Sequence, residues 1–141
     1  MRKIKVAVIG AGYLGEFHAQ KYKNNKNVDL IGIVDINKKR CDEVAKKLKV
    51  TAYYSYKEIV DEIDAVSIVV PTNLHYKISK YFIENNKHVL IEKPFTKDIK
   101  EARKIKKISE EKKIILQIGH IERFNSAFSK LQTMVKKPLF I

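Results

Sequence analysis

A chain of 141 residues is close to the roughly 150 that one ordinary domain occupies, so one complete domain is expected. With 45% hydrophobic and 32% charged residues it can build a core and cover it, which excludes a disordered tail, and its three prolines and five glycines exclude collagen-like and low-complexity classes. The formal charge of +13 invites a nucleic-acid reading, yet only four of the 29 basic residues are arginine, the side chain that phosphate and base recognition favours, so a solvated lysine-rich surface fits better.

In chain order, Ile4 to Ile9 is a short apolar run rich in β-branched residues, the pattern of a buried strand. A helix is predicted from about Tyr13 to Asn24, with Leu14, Phe17, His18 and Tyr22 near helical spacing. Val28 to Asp35 reads as the second strand. Asn37 then caps a helix whose inner face is Cys41, Val44, Ala45 and Leu48. Thr51 to Tyr54 is a short strand and Tyr56 to Asp61 a helical turn. Asp64 to Val70, stopped by Pro71, is the most apolar strand, followed by a helix over 73–86 with Ile78, Tyr81 and Phe82 inward. His88 to Glu92 is the next strand. Asp98, with Glu101 three residues on, starts a helix packing Ile99, Ala102, Ile105 and Ile108. Ile114 to Ile118 is a sixth strand, and Phe124 to Val135 a final helix.

Six apolar strands alternating with helices imply a doubly wound α/β fold: a parallel sheet with helices on both faces. No apolar run approaches the ~18–20 residues of a membrane span. The basic N-terminus reads as a strand and not as a signal peptide, and the single cysteine, Cys41, has no intramolecular disulfide partner. Both features point to a cytoplasmic protein. Residues 137–141, with Pro138-Leu139-Phe140-Ile141, read as the start of a further strand. They are expected to open a second domain after a first over 1–136.

Four segments carry chemistry. Gly10-Ala11-Gly12-Tyr13-Leu14-Gly15 lies between a predicted strand and a predicted helix, with Asp35 at the next strand's end, 20 positions beyond Gly15. That context turns a weak glycine pattern into a dinucleotide fingerprint. Gly10 permits the turn, Gly12 lets a pyrophosphate approach, Gly15 lets helix and strand pack, and the helix start at Tyr13 and Leu14 offers free N–H groups. Asp35 can accept from both ribose hydroxyls, which favours NAD over NADP, although Lys38, Lys39 and Arg40 lie within reach of a 2′-phosphate.

The second segment, Pro71-Thr72-Asn73-Leu74-His75, follows the fourth strand. Thr72 or Asn73 serves either as a helix cap or as a ligand contact, and His75 as either a packing residue or a ligand contact. The third is Glu92-Lys93-Pro94. Pro94 fixes the loop, and a partly desolvated Lys93 can hydrogen-bond a substrate hydroxyl and take part in proton transfer; the bland alternative is a solvated Glu92–Lys93 ion pair. The fourth runs from Gln117 to Asn125. Gly119 there permits close approach to a ligand, His120 is a candidate nicotinamide- or substrate-side contact, and Arg123 is a candidate partner for Glu92 or Glu122.

Taken together, Gly10 to Gly15, Asp35, Pro71 to His75, His88 to Pro94 and Gly119 to Asn125 resemble the glucose–fructose oxidoreductase/inositol dehydrogenase (Gfo/Idh/MocA) family. The resemblance implies NAD(P) binding by this domain, a catalytic Lys93, and a C-terminal substrate domain. It implies hydride transfer to or from a secondary alcohol of a sugar, cyclitol or sugar nucleotide, and a homo-oligomer for the full-length form. The Gly119-His120-Ile121-Glu122-Arg123-Phe124-Asn125 stretch is most similar to members acting on UDP-N-acetylhexosamines. The alternative is a non-catalytic dinucleotide-binding or redox-sensing module.

Overall fold

A computed structural model describes residues 2–135. Six strands, β1 (Ile4–Ile9), β2 (Val28–Val34), β3 (Thr51–Tyr53), β4 (Ala65–Ile68), β5 (His88–Ile91) and β6 (Leu116–Ile118), form one sheet in the order β3-β2-β1-β4-β5-β6. Every pairing is parallel. This is the doubly wound arrangement, in which the strand order reverses between β1 and β4. Five helices lie among the strands: α1 (Tyr13–Lys23), α2 (Lys38–Leu48), α3 (Thr72–Glu84), α4 (Ile99–Glu111) and α5 (Ser126–Met134). Among the described residues no helix is long and apolar enough to cross a membrane.

Alternation along the strands divides the core in two. Val8, Leu30 and Ile33 face α1 and α2, meeting Ala19, Cys41, Val44 and Leu48. Ala7, Ile9, Val66, Ile68, Val89 and Ile91 face α3 and α4, meeting Ile78, Phe82, Ile83 and Ile105. Right-handed crossovers place the two helix pairs on opposite faces because the chain turns back at the reversal point.

Several predicted inner faces shift. In α1 the buried residues are Gly15 and Ala19, while Leu14 and Phe17 are exposed, because the close contact at Gly15 rolls the helix onto its small residues. In α4, Ile105 is buried but Ile99, at the helix start, stands in solvent. The turn expected over Tyr56 to Asp61 is a 3₁₀ turn at Val60–Glu62. The final helix divides into a 3₁₀ turn, Ile121–Phe124, and α5, because the Asn125 side chain accepts from Ala127 N–H and starts a new helix. Asn37 and Asp98 cap α2 and α4 as their sequence positions suggest, accepting from the N–H groups of Arg40 and Glu101. The strand expected at Pro138 to Ile141 lies outside the described residues.

Candidate cofactor and proton-transfer site

In an all-parallel sheet the carboxyl ends of the strands share one edge, so the loops after β1, β2, β4, β5 and β6 converge there. Those loops carry Gly10–Gly15, Asp35, Pro71–His75, Glu92–Lys93 and His120. Main-chain hydrogen bonds extend the sheet into this rim: Gly10 N–H donates to Val34 C=O, Glu92 N–H to Ile68 C=O and Gly119 N–H to Ile91 C=O.

The glycine turn is shaped by backbone contact. Gly10 has φ +105°, and a Cβ there would lie 2.1 Å from the Val69 carbonyl oxygen. A Cβ on Gly15 would lie 1.9 Å from the Gly10 carbonyl oxygen, so α1 is seated directly on the turn. Gly12 differs: a Cβ there meets nothing within 4 Å. The turn is closed on the protein side and open on the rim side, the shape a pyrophosphate requires. Gly12 caps α1 without a side chain, leaving the first-turn N–H groups and the positive end of the helix dipole directed at that opening. Tyr13 and Leu14 occupy this exposed first turn.

Asp35 is bound to the same turn. Its Oδ2 accepts from Ala11 N–H at 2.7 Å and its Oδ1 from Asn37 N–H at 2.8 Å. The carboxylate therefore braces the glycine turn. Arg40 is committed elsewhere: Nε donates to Ala11 C=O at 2.8 Å, and a guanidinium N–H donates to Glu16 at 2.5 Å. Lys47 joins Glu16 at 2.6 Å, and these two cations hold the Glu16 carboxyl below its ordinary range, Lys47 contributing most. Lys38 sits over the Tyr54 ring. With Arg40 so tied, the ribose corner offers a carboxylate rather than a cation, which fits NAD better than its 2′-phosphorylated form.

The second half of the rim corrects several expectations. Neither Thr72 nor Asn73 caps α3; Pro71 is the cap residue, without a side-chain bond, and both polar residues lie in the first turn. His75 is buried, with Nε2 2.8 Å from the Val70 carbonyl and Nδ1 2.9 Å from that of Pro94. Both ring nitrogens lie against backbone carbonyls, of which a neutral imidazole can donate to only one, so His75 is packed between the loop after β4 and the loop after β5 with neither nitrogen open to a cofactor. The Glu92–Lys93 ion pair, the bland alternative to a free Lys93, does not form. Glu92 is buried with its Oε1 3.3 Å from His18 Nε2, while Lys93 is exposed and, among the described residues, has no carboxylate within 4 Å.

Gly119 leaves room for Glu92: a Cβ there would stand 2.4 Å from Glu92 Oε1. Arg123 pairs with neither Glu92 nor Glu122; the Glu122 carboxylate accepts instead from the Asn125 side chain. His120 is exposed beside a hollow lined by Gln117, Ile118, Arg123 and Phe124. Sequence reasoning missed His18 and Ser67 as parts of this rim. The available signal was His18 itself, a polar residue on the Gly15–Ala19–Tyr22 stripe that faces the sheet. Among the described residues no three His, Cys, Asp or Glu side chains are grouped to hold a metal ion.

The sequence profile of an oxidoreductase family described as an NAD-binding Rossmann fold matches residues 4–120. The chain belongs to the Gfo/Idh/MocA family. It is 41% identical over 132 residues to the UDP-N-acetylglucosamine 3-dehydrogenase of Acidithiobacillus ferrooxidans, covering 94% of this chain and 42% of that protein. It is 31% identical over 131 residues to the NAD⁺-dependent scyllo-inositol 2-dehydrogenase of Bacillus subtilis, covering 90% of this chain and 38% of that protein. Among solved structures, the Acidithiobacillus enzyme superposes with a TM-score of 0.89 at 40% identity, over 95% of this chain and 44% of that one. A scyllo-inositol dehydrogenase of Lactobacillus casei, solved with NAD(H) and scyllo-inositol, gives 0.88 at 25% identity, over 94% of this chain and 41% of that one. The chain thus spans about two fifths of the length of these relatives, as the family's dinucleotide-binding Rossmann fold.

Proposed function

We propose that this chain is the nucleotide-binding part of an NAD-dependent oxidoreductase acting on a secondary alcohol of a sugar nucleotide, with Lys93 as the group that handles the hydroxyl proton. The observation that carries the reading is the placement of Lys93. It is an exposed ammonium with no carboxylate partner among the described residues, on a buttressed turn at the same rim as the open glycine turn. NAD, when bound, supplies the hydride acceptor or donor. The first turn of α1 holds the pyrophosphate, and Asp35 accepts from the ribose hydroxyls. Thr72, Asn73 and His120, exposed or half-buried at the rim, orient what lies between β4 and β6. Lys93 Nζ donates to or accepts from the substrate hydroxyl as the carbinol carbon gains or loses hydride.

The 41% identity to a UDP-N-acetylglucosamine 3-dehydrogenase supports a sugar-nucleotide substrate over a free cyclitol. A second domain completing the substrate pocket, a homo-oligomeric assembly and a cytoplasmic location belong to the same reading. The Rossmann domain extends over 1–136 in it.

The test has two arms. Titration of this chain followed by NADH fluorescence is expected to show mutually exclusive NAD and NADH binding in the micromolar range. Salt-steep binding to DNA instead would displace the reading. In a form extended to the relatives' length and assayed with UDP-N-acetylglucosamine, Lys93→Met is expected to lower kcat by roughly 10²–10⁴-fold while NAD affinity changes less than about threefold. Full activity of Lys93→Met would remove Lys93 from the chemistry.

A further inference from the structure

Helix α1 does more than present its N-terminus to a phosphate. Three positions beyond Gly15 it carries His18 across the reversal point of the sheet to residues of β4 and the turn after β5. There the imidazole meets two buried partners. Its Nδ1 lies 2.9 Å from Ser67 Oγ, and its Nε2 lies 3.3 Å from Glu92 Oε1. Ser67 is wholly buried on β4 and points to the α1 face because its neighbours Val66 and Ile68 point to the other.

Glu92 is an unusual residue to bury. A carboxylate removed from water must be hydrogen-bonded or neutralised. The space it occupies exists because Gly119 has no side chain. Its Oε2 accepts from the backbone N–H of Lys93 at 3.2 Å, and Oε1 faces His18. Of the two neutral tautomers, one satisfies all of these groups: Ser67 O–H donates to Nδ1, and Nε2–H is directed to Glu92. Burial supports it, since desolvation of His18 outweighs the attraction of Glu92 and holds the ring below the ordinary imidazole range.

We infer that His18 is a positioning residue for the proton-transfer turn: as its neutral Nε2–H tautomer it holds the Glu92 carboxylate, and through Glu92 the Lys93 backbone, against the helix that receives the pyrophosphate. His75 performs the matching task from the α3 face by holding the Pro94 and Phe95 carbonyls. The turn carrying Lys93 is thereby clamped from both faces of the sheet, and its place relative to the phosphate site is set before a substrate arrives. This inference rests on the reading of Lys93 as the proton-handling group.

The experiment begins with the chain itself, labelled with ¹⁵N-histidine. Long-range ¹H–¹⁵N correlation at neutral pH is expected to show His18 as the Nε2–H tautomer, and a ring protonated on Nδ1 would overturn the inference. In His18→Phe the Lys93 amide is expected to exchange with solvent roughly tenfold faster or more, with exchange at Gly12 to Leu14 unchanged. His18→Gln, which retains an N–H donor near the Nε2 position, is expected to restore most of the protection. Unaltered Lys93 exchange in His18→Phe, or no rescue by Gln, would sink the proposal. Should His18→Phe not fold, Ser67→Ala replaces it, with a smaller rise at Lys93 expected and no rise counting against the inference.

In the extended form assayed with UDP-N-acetylglucosamine, His18→Phe is expected to lower kcat by about 10–100-fold with KM for NAD within about threefold. Equal loss in both would make His18 a cofactor-site residue instead and would likewise overturn the inference. Full activity of Lys93→Met would remove the underlying reading, while the tautomer and exchange results would still decide whether the strut exists.

Discussion

The two halves of the rim are built by different means. Around β1 and β2 the glycine turn is shaped by main chain against main chain: Gly10 against Val69, Gly15 against Gly10, and Ala11 N–H on the Asp35 carboxylate. Around β4, β5 and β6 the turn bearing Lys93 is fixed by buried side chains that reach it from far along the sequence, His18 from α1 and His75 from α3. Tight backbone packing suits a site that must receive a diphosphate common to every reaction cycle. Side-chain struts suit a site whose charged group must be aimed without being neutralised. Had Lys93 been placed by an ion pair with Glu92, its ammonium would be occupied; with Glu92 given to His18, it has no carboxylate partner among the described residues.

The largest effect is expected at Gly12, the one glycine of the turn with open space beside it. Gly12→Val is expected to leave the fold intact, because a Cβ there meets nothing within 4 Å, and to abolish NADH binding, a loss of more than ~100-fold from blocking the pyrophosphate. Circular dichroism melting checks the first half and NADH fluorescence the second. Retained binding would show that the turn does not face the cofactor.

Asp35 tests whether one residue serves both ligand and turn. Asp35→Ala is expected to weaken NAD binding by about 1–3 kcal/mol and NADP binding much less, from loss of charge-assisted hydrogen bonds. Because it also strips the Ala11 and Asn37 N–H groups of their acceptor, a lowered melting temperature is expected beside the affinity change. Calorimetry with both cofactors separates the two effects, and equal loss for NAD and NADP would take Asp35 out of the ribose corner.

The mildest test concerns pH and the second half of the rim. With its pKa lowered by burial, folded His18 resists a proton that the unfolded chain accepts. The unfolded state therefore binds more protons just below the ordinary imidazole pKa of about 6.5, so stability is full above that pH and falls as pH drops through the window beneath it. Ser67 and Glu92 are the groups facing the ring, and Glu92 only partly offsets the burial effect. Urea melts between about pH 7.5 and 5.5 are expected to show this slope in the native chain and a flatter one in His18→Gln. The lowered pKa values of Glu16 and Asp64 act in the other acid window, with stability lost only as pH falls through the carboxylate range. An unchanged slope in His18→Gln would show that this ring does not titrate with folding.

Most of the fold was legible from residue order alone. Alternating apolar strands and amphipathic helices, the caps at Asn37 and Asp98, and the glycines between β1 and α1 are local patterns with local causes, and each of those elements stands where its own residues put it. The convergence of Gly12, Asp35, Lys93 and His120 on one edge also follows from sequence, because a parallel sheet brings the carboxyl ends of its strands together. Which side chains face one another across that edge depends instead on packing between distant segments. His18 and Glu92 are 74 positions apart, and nothing local distinguishes Glu92 as a partner for a distant imidazole from Glu92 as a partner for the adjacent Lys93. The inner face of α1 was likewise settled by contact. Leu14 and Phe17 have the periodicity of a core face, but Gly15 must press against Gly10, and that rotates them into solvent while turning His18 toward β4 and β5. Periodicity reports what a helix can bury; the closest backbone contact decides what it does bury.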